Sequence, residues 1–317
     1  MKAGRALAVA RAALAKALEA ALVVVVVATL VFLALRLLPG DPARLVLGDE
    51  ASADEIASMR HRLGVDAPLH VQYARFLAGL VRLDFGESLR HPGEPAWARV
   101  ASSIGPTAAL ALIAVALGAV AGIGVAVLAR GPWLGLRARR VLAAAPTAVA
   151  ATPLLSFAPL ATYVLAARLR VVPLPADPEA GAGGLLFAAS LLALPLAAAV
   201  ARVSGAALEG VIRAPFVAVA RAKGGSHARA FLLHALPACS GPIVTVIASQ
   251  LGALLGGAVV LERLFERPGL GSLILEAYAA RDLPVLEGAV VAAAALFVGV
   301  QIVAAGLHAA VDPRVRA

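Results

Sequence analysis

An all-α integral membrane protein with six transmembrane helices is the fold class this sequence predicts, on three observations. The chain of 317 residues is 61% hydrophobic and 15% charged, with a mean hydropathy of +0.90, whereas soluble domains carry about 25% charged and about 45–50% apolar residues. Six stretches hold the roughly 20 apolar residues that a helix needs to cross about 30 Å of hydrocarbon. The basic residues gather in alternate connections. A water-soluble enzyme and a disordered chain are both excluded.

The stretches are 17–38, 107–129, 141–167, 185–201, 242–261 and 285–311. The first is free of charge over 22–35, and the second and third hold no charged residue. Pro146, Pro153 and Pro159 interrupt the third and Pro195 the fourth. Proline lacks an N–H and crowds the preceding turn, so these helices are expected to kink, with neighbours satisfying the freed carbonyls.

The formal charge of +9 resolves into topology. One side holds Lys2, Arg5, Arg11, Lys16, Arg130, Arg137, Arg139, Arg140, Arg202, Arg213, Arg221, Lys223, Arg229, Arg314 and Arg316, against Glu19, Glu209 and Asp312. That is about +12 against about −2 on the other side, and short loops rich in Lys and Arg stay in the cytoplasm. Both termini are therefore expected in the cytoplasm, which requires an even number of spans. Glu287 lies inside the sixth span. The basic excess signals topology and not nucleic-acid binding. Cys239 is the single cysteine; it can form neither an intrachain disulfide nor a zinc site and reads as a small buried apolar residue. The first apolar run exceeds the roughly 7–15 residues of a signal peptide, and Leu37-Leu38-Pro39-Gly40 is no small-x-small cleavage site. The first span is expected to stay in the protein.

Three segments follow: 1–38, the N-terminal segment with the first span; 39–106, an exterior subdomain; and 107–317, a five-helix core containing a cytoplasmic connection at 202–241. In the exterior loop, Ser52-Ala53-Asp54-Glu55 forms a capping box that starts a helix ended by Gly64. A second helix follows Pro68, with Leu69, Tyr73, Phe76, Leu77 and Leu80 on one apolar face; the face packs on the membrane or the spans, or docks a partner. The connection 168–184 is a Pro- and Gly-rich linker. The third exterior loop, 262–284, turns sharply at Pro268-Gly269-Leu270-Gly271 before a short apolar helix at 273–279. Gly118 and Gly122, and Gly252 and Gly256, form GxxxG pairs that allow close helix approach, within the chain or to a partner.

The connection 202–241 is longer than adjacent spans require. Pro215 starts a short helix, and Phe216, Val219, Ala220 and Lys223 then present an apolar ridge at helical spacing, flanked by Arg221 and Lys223. Gly224-Gly225 ends it. Ser226 caps a second helix at 228–236, which Pro237 closes. Two short helices around a glycine break form a knob suited to docking in another protein's groove.

These residues resemble the permease subunit of binding-protein-dependent ABC importers of the dipeptide/oligopeptide/nickel type. Ala220-Arg221-Ala222-Lys223-Gly224 matches the core of the family's coupling motif, and His234-Ala235-Leu236-Pro237 its end. Ala218 stands where the general motif has glutamate. Further signatures follow in order from about residue 22 to 316: Pro39-Gly40-Asp41-Pro42; Leu63-Gly64-Val65-Asp66-Ala67-Pro68-Leu69 with Gln72-Tyr73; Asp84-Phe85-Gly86-Glu87-Ser88, with Leu83 where a glycine is usual; Phe265-Glu266-Arg267-Pro268-Gly269-Leu270-Gly271; Arg281-Asp282-Leu283-Pro284; and Asp312-Pro313-Arg314-Val315-Arg316.

The resemblance implies a type I importer permease in a bacterial inner membrane, carrying peptides or related small solutes, nickel chelates included. Pro215, Phe216, Val219, Ala220, Arg221, Ala222, Lys223, Gly224, His234, Leu236 and Pro237 would couple it to an ATPase. The implied partners are a second homologous permease, two cytoplasmic ATPase subunits and an external substrate-binding protein. ATP and Mg would be bound by the ATPase, leaving this chain without cofactor, metal or catalytic residue. Thr245, Ser249, Gln250 and Gln301, scattered polar groups on apolar spans, are candidates for the translocation pathway.

The residues themselves point the same way on energy. Ion-driven transporters use ionisable groups within their spans, yet spans two to five contain none, and the chain has no G-x-x-x-x-G-K-[ST] phosphate loop. A cytoplasmic ATPase partner accounts for both absences. A stand-alone secondary transporter or channel would leave the knob and the large exterior loop unused. An intramembrane serine protease built on Ser204 or Ser240 with His234 fails because no Ser and His pair is placed at membrane depth.

Overall fold

The computed structural model describes residues 2–37, 41–48, 51–175 and 181–311. Pro39-Gly40, the middle of the 168–184 connection and Asp312-Pro313-Arg314-Val315-Arg316 lie outside the described residues. Among those described there is no β-strand, only a lone antiparallel bridge between Glu87 and Pro95.

Among the described residues, five helices are long and apolar enough to cross a membrane: α1 (Lys2–Leu37), α5 (Ala96–Arg130), α8 (Gly181–Ile212), α12 (Ser240–Leu264) and α14 (Leu283–Val311). The third expected span is not one kinked helix. It is divided into α6 (Leu136–Ala150) and α7 (Leu154–Thr162), the latter running on through a π-helical turn at Tyr163–Arg168, with the two parts bent by 109°. The span total is six when this pair counts as one. Pro153 places the break: it precedes α7, and a proline drives the residue before it out of the α region, whereas Pro146 and Pro159 are accommodated inside their helices. Beside the break, Ala148, Thr152, Phe157 and Pro195 help line an apolar cavity of about 220 Å³.

The fourth span also differs from expectation. Its helix does not end near Ala201 but runs on to Ile212, because Ser204 and Leu208 keep a buried stripe going and Glu209 pairs with Arg130 at 2.9 Å. The first part of the 202–241 connection is therefore rigid helix.

The chain divides into two compact units. One comprises Met1–Thr107 and Pro268–Gly299. In it α2 (Pro42–Leu47) is capped by Asp41, and α3 (Ala53–Leu63) starts at the expected capping box and ends at Gly64, left-handed at φ +66. The Ser52 hydroxyl and backbone N–H both donate to the Glu55 carboxylate and hold it below its ordinary pKa. The apolar face of α4 (Leu69–Arg82) covers a span: Phe76 joins Ala28, Phe32 and Val291 in a buried cluster, with Tyr73, Leu77 and Leu80 against it. Leu69 is the exception and stays exposed. A second cluster gathers Val100, Val285 and Ala289 around Leu270 and Leu273 of α13 (Leu270–Ala280).

Leu83 ends α4 in the left-handed region, at φ 56 and ψ 34. A side chain there costs roughly 1–2 kcal/mol that glycine does not incur, and this leucine is 45% exposed, so little burial offsets the strain. Leu83→Gly is expected to raise the thermal unfolding midpoint of the detergent-purified protein by a few degrees, a gain of about 1 kcal/mol. An unchanged or lower midpoint would show that the leucine's packing outweighs its backbone strain.

The other unit comprises Ala108–Arg267 and Val300–Ala317. Its axis is α8, whose Leu192, Leu196, Val200 and Leu208 are almost wholly buried. Glycine brings α5 against it: a methyl added at Gly118 would lie 2.8 Å from Leu196 Cδ2, and one at Gly122 2.6 Å from the Ala197 carbonyl oxygen. The first GxxxG pair is thus an intrachain contact. In the second pair, Gly256 faces open space. Outside these cores much of the apolar surface is bare, Leu18, Leu22, Leu30, Leu112 and Val120 among it, as expected of helices that meet lipid.

Candidate functional site: the knob between α8 and α12

After α8 the chain folds into α9 (Pro215–Ala222), α10 (His227–Ala230), a π-helical turn at Phe231–Ala235, and the short α11 (Leu236–Ala238). Pro215 sits in the first turn of α9, where its missing N–H costs nothing. Lys223 closes the helix, and Gly224 turns the chain at φ +89. Gly225 is needed for close approach, since a methyl there would lie 2.8 Å from the Ala220 carbonyl oxygen. Ser226 then caps α10 by accepting from the Arg229 N–H at 3.2 Å.

Pro237 does not close the second helix as expected. It lies in the first turn of α11, and the helical path runs on to Ala238 before turning at Cys239 into α12. The preceding π-helical turn explains this, because a wider turn absorbs the hydrogen bond that a proline cannot make.

The knob is fixed from below and open above. Val217, Ala230, Phe231, Ala235 and Cys239 form a buried cluster with Ala126 of α5, Leu208 of α8 and Ile243 of α12. Burial pushes the Cys239 thiol pKa up and suits it to a packing role. Trp133, in the α5–α6 turn, meets Phe231 edge-on with ring centroids 5.5 Å apart. On the opposite face, Phe216 and Val219 are 48% and 52% exposed, although both are apolar. Together with Lys223, Gly224 and His234 they line a concavity of about 460 Å³. Arg221, Ala222 and Pro237 are exposed, and Ala220 and Leu236 are half-buried. The helix break thus brings Phe216, Val219, Ala220, Lys223, Gly224 and His234 to one concavity and leaves Leu236 and Pro237 off its wall.

The four polar candidates of the pathway are spread over two helices. Thr245 and Ser249 are exposed on α12, and their hydroxyls donate back to the carbonyls of Gly241 and Val246, each at 2.9 Å. Gln250 on α12 and Gln301 on α14 are half-buried.

Sequence reasoning missed the polar links between distant residues. Arg36 of α1 pairs with Glu287 of α14 at 2.5 Å, donates to Gln72 of α4 at 3.4 Å and lies 3.9 Å from the Phe32 ring centre. Ser88 donates to Asp282, which also accepts from the Leu89 N–H at 3.1 Å. Arg36 and Glu287 are opposite charges near span ends, and matching them by depth would have suggested the first link.

The long apolar helices are those of a membrane-embedded protein, and its glycine-broken knob leaves an apolar ridge uncovered. The chain belongs to the family of binding-protein-dependent transport system inner membrane components, whose pattern matches residues 114–317, with the N-terminal component of such systems matching 9–101. It is similar to the glutathione transport system permease protein GsiC of Salmonella paratyphi A, 35% identical over 298 residues that cover 92% of this chain and 94% of that protein. GsiC of Escherichia coli strain K12 is 33% identical over 298 residues, with the same coverage. The protein is therefore an inner-membrane permease subunit of an ABC importer that works with a substrate-binding protein and an ATPase.

Proposed function

We propose that this permease forms half of a translocation pathway for peptides or related small solutes, nickel chelates included, with a second homologous permease forming the other half. Two ATPase subunits bind the ATP and Mg, and this chain performs no catalysis. Both termini and the 202–241 connection lie in the cytoplasm, while 39–106 forms an exterior subdomain around the spans of 1–38 and 107–317. Glutathione, the cargo in the relatives' name, is a tripeptide and falls within the substrate class. Thr245, Ser249, Gln250 and Gln301 supply polar contacts along the pathway.

The observation that carries the reading is the exposed ridge of Phe216 and Val219 on a knob whose other face is buried. An aromatic anchor inserted in a partner's cleft typically contributes 2 kcal/mol or more, and Arg221 and Lys223 beside it can pair with acidic groups on the ATPase. Closure of the ATPase pair on ATP then moves the knob and, through α8 and α12, the spans. Phe216→Asp is expected to weaken co-purification of the ATPase by roughly 30-fold or more while membrane insertion is retained, since Phe216 is not among the buried cluster residues. An unaltered complex with unaltered substrate-stimulated ATP hydrolysis would refute the docking role.

A further inference from the structure

A second cavity lies beside α9 and shares Ala230 with the first. It measures about 210 Å³ and gathers Arg130, Arg139, Arg221 and His227 around an apolar wall that includes Val217 and Phe231. Three arginines lining one small cavity carry like charges, which repel one another unless an anion sits between them. One acidic group is at hand: Glu209 pairs with Arg130 at 2.9 Å, which leaves an excess of positive charge.

Two of the arginines are held in place. Arg139 donates from Nε to the Ala129 carbonyl at 3.0 Å and from Nη2 to the Arg130 carbonyl at 3.1 Å, so its guanidinium is fixed on the last turn of α5. Arg130 is tied to α8 through Glu209. Next to them Trp133 is 42% exposed and stacks edge-on against Phe231 of the cavity wall. Tryptophan concentrates at the headgroup level of a bilayer, and basic pockets between spans on the cytoplasmic side hold anionic headgroups. A wall that is apolar next to the cations suits an amphiphile better than a free ion.

We propose that this cavity receives the phosphate of an anionic phospholipid headgroup, and that its occupant clamps α9 and α10 against the end of α5. The placement in the cytoplasmic leaflet rests on the sidedness proposed above. The phosphate site itself does not. Because the cavity shares Val217, Ala230 and Phe231 with the cluster that anchors the knob, an occupant would stiffen the coupling segment from beneath.

Native mass spectrometry of the purified full-length permease, with phosphatidylglycerol or phosphatidylcholine added, tests this. The wild type is expected to retain phosphatidylglycerol selectively. Arg130→Gln combined with His227→Gln, which leaves the carbonyl bonds of Arg139 intact, should lower that retention about tenfold. Arg139→Gln should act in the same direction, and Arg213→Gln, an exposed arginine that does not line the cavity, should change nothing. Equal retention by wild type and pocket variants would overturn the site. An equal loss with Arg213→Gln would replace it by diffuse attraction to a basic surface. Displacement of the lipid by millimolar inorganic phosphate would reassign the site to a free anion and overturn the lipid source. The readout involves no ATPase, so a failed docking helix and a failed lipid site would show as separate results.

Discussion

Replacing Gly224 with valine is expected to reduce substrate-stimulated ATP hydrolysis and uptake by the assembled importer about tenfold, with the permease still inserted. The residue turns the chain between α9 and α10 at φ +89. A non-glycine residue in a left-handed conformation costs roughly 1–2 kcal/mol, and β-branching makes such a backbone a true outlier. Space is not the obstacle, because a methyl at Gly224 would touch nothing within 4 Å. The strain is relieved only by reorienting the turn, and 1–2 kcal/mol shifts a two-state population by a factor of about 5–30. Val217 and Phe231 stay anchored on either side, so the exposed ridge of Phe216 and Val219 would be misaligned while the fold survives. Gly210→Ala on α8 is the control, since nothing lies near that position either and its backbone is helical. Unchanged stimulation in Gly224→Val would sink the coupling role of the turn.

The largest loss of stability is expected from Arg36→Met. Glu287 is 8% exposed and has Arg36 as its ion-pair partner. Removing one member of a buried pair leaves an uncompensated charge and typically costs 3–5 kcal/mol, whereas replacing both with apolar groups is often neutral. Arg36→Met alone should therefore unfold at much lower temperature or denaturant concentration than the wild type, and Arg36→Met with Glu287→Leu should recover most of the difference. The Arg36 guanidinium also rests on Phe32 and reaches Gln72, which methionine replaces in part by its own packing. A double variant as unstable as the single one would show that the loss comes from the contacts of Arg36 with Phe32 and Gln72 and not from an orphaned carboxylate.

What the sequence made legible was whatever is written in local pattern. The capping box at Ser52 and Glu55, the start of α9 at Pro215 and the Ser226 cap all depend on residues a few positions apart, and all are found where expected. The apolar periodicity placed the spans. It failed at Ala201, since the approach of polar residues suggested an end where a buried stripe in fact continues to Leu208. Proline was ambiguous for a physical reason: the same missing N–H can end one helix or open the next. At Pro153 it opens α7 after a break, and at Pro237 it opens α11 within a continuing path. The knob was legible as two helices around a glycine break, but its division into a buried face and an exposed ridge was not. That division depends on Leu208, Ala126 and Ile243, which reach it from other helices.

The ion pair of Arg36 and Glu287 also bears on how the subunit responds to voltage. Moving one elementary charge through the membrane field is worth about 2.3 kcal/mol per 100 mV. A carboxylate and a guanidinium bound as a pair move as a dipole with no net charge, and the apolar stretches of α5, α8 and α12 contribute none. Rearrangement of these helices therefore displaces little gating charge. The membrane potential thus has little hold on the rearrangement of these helices.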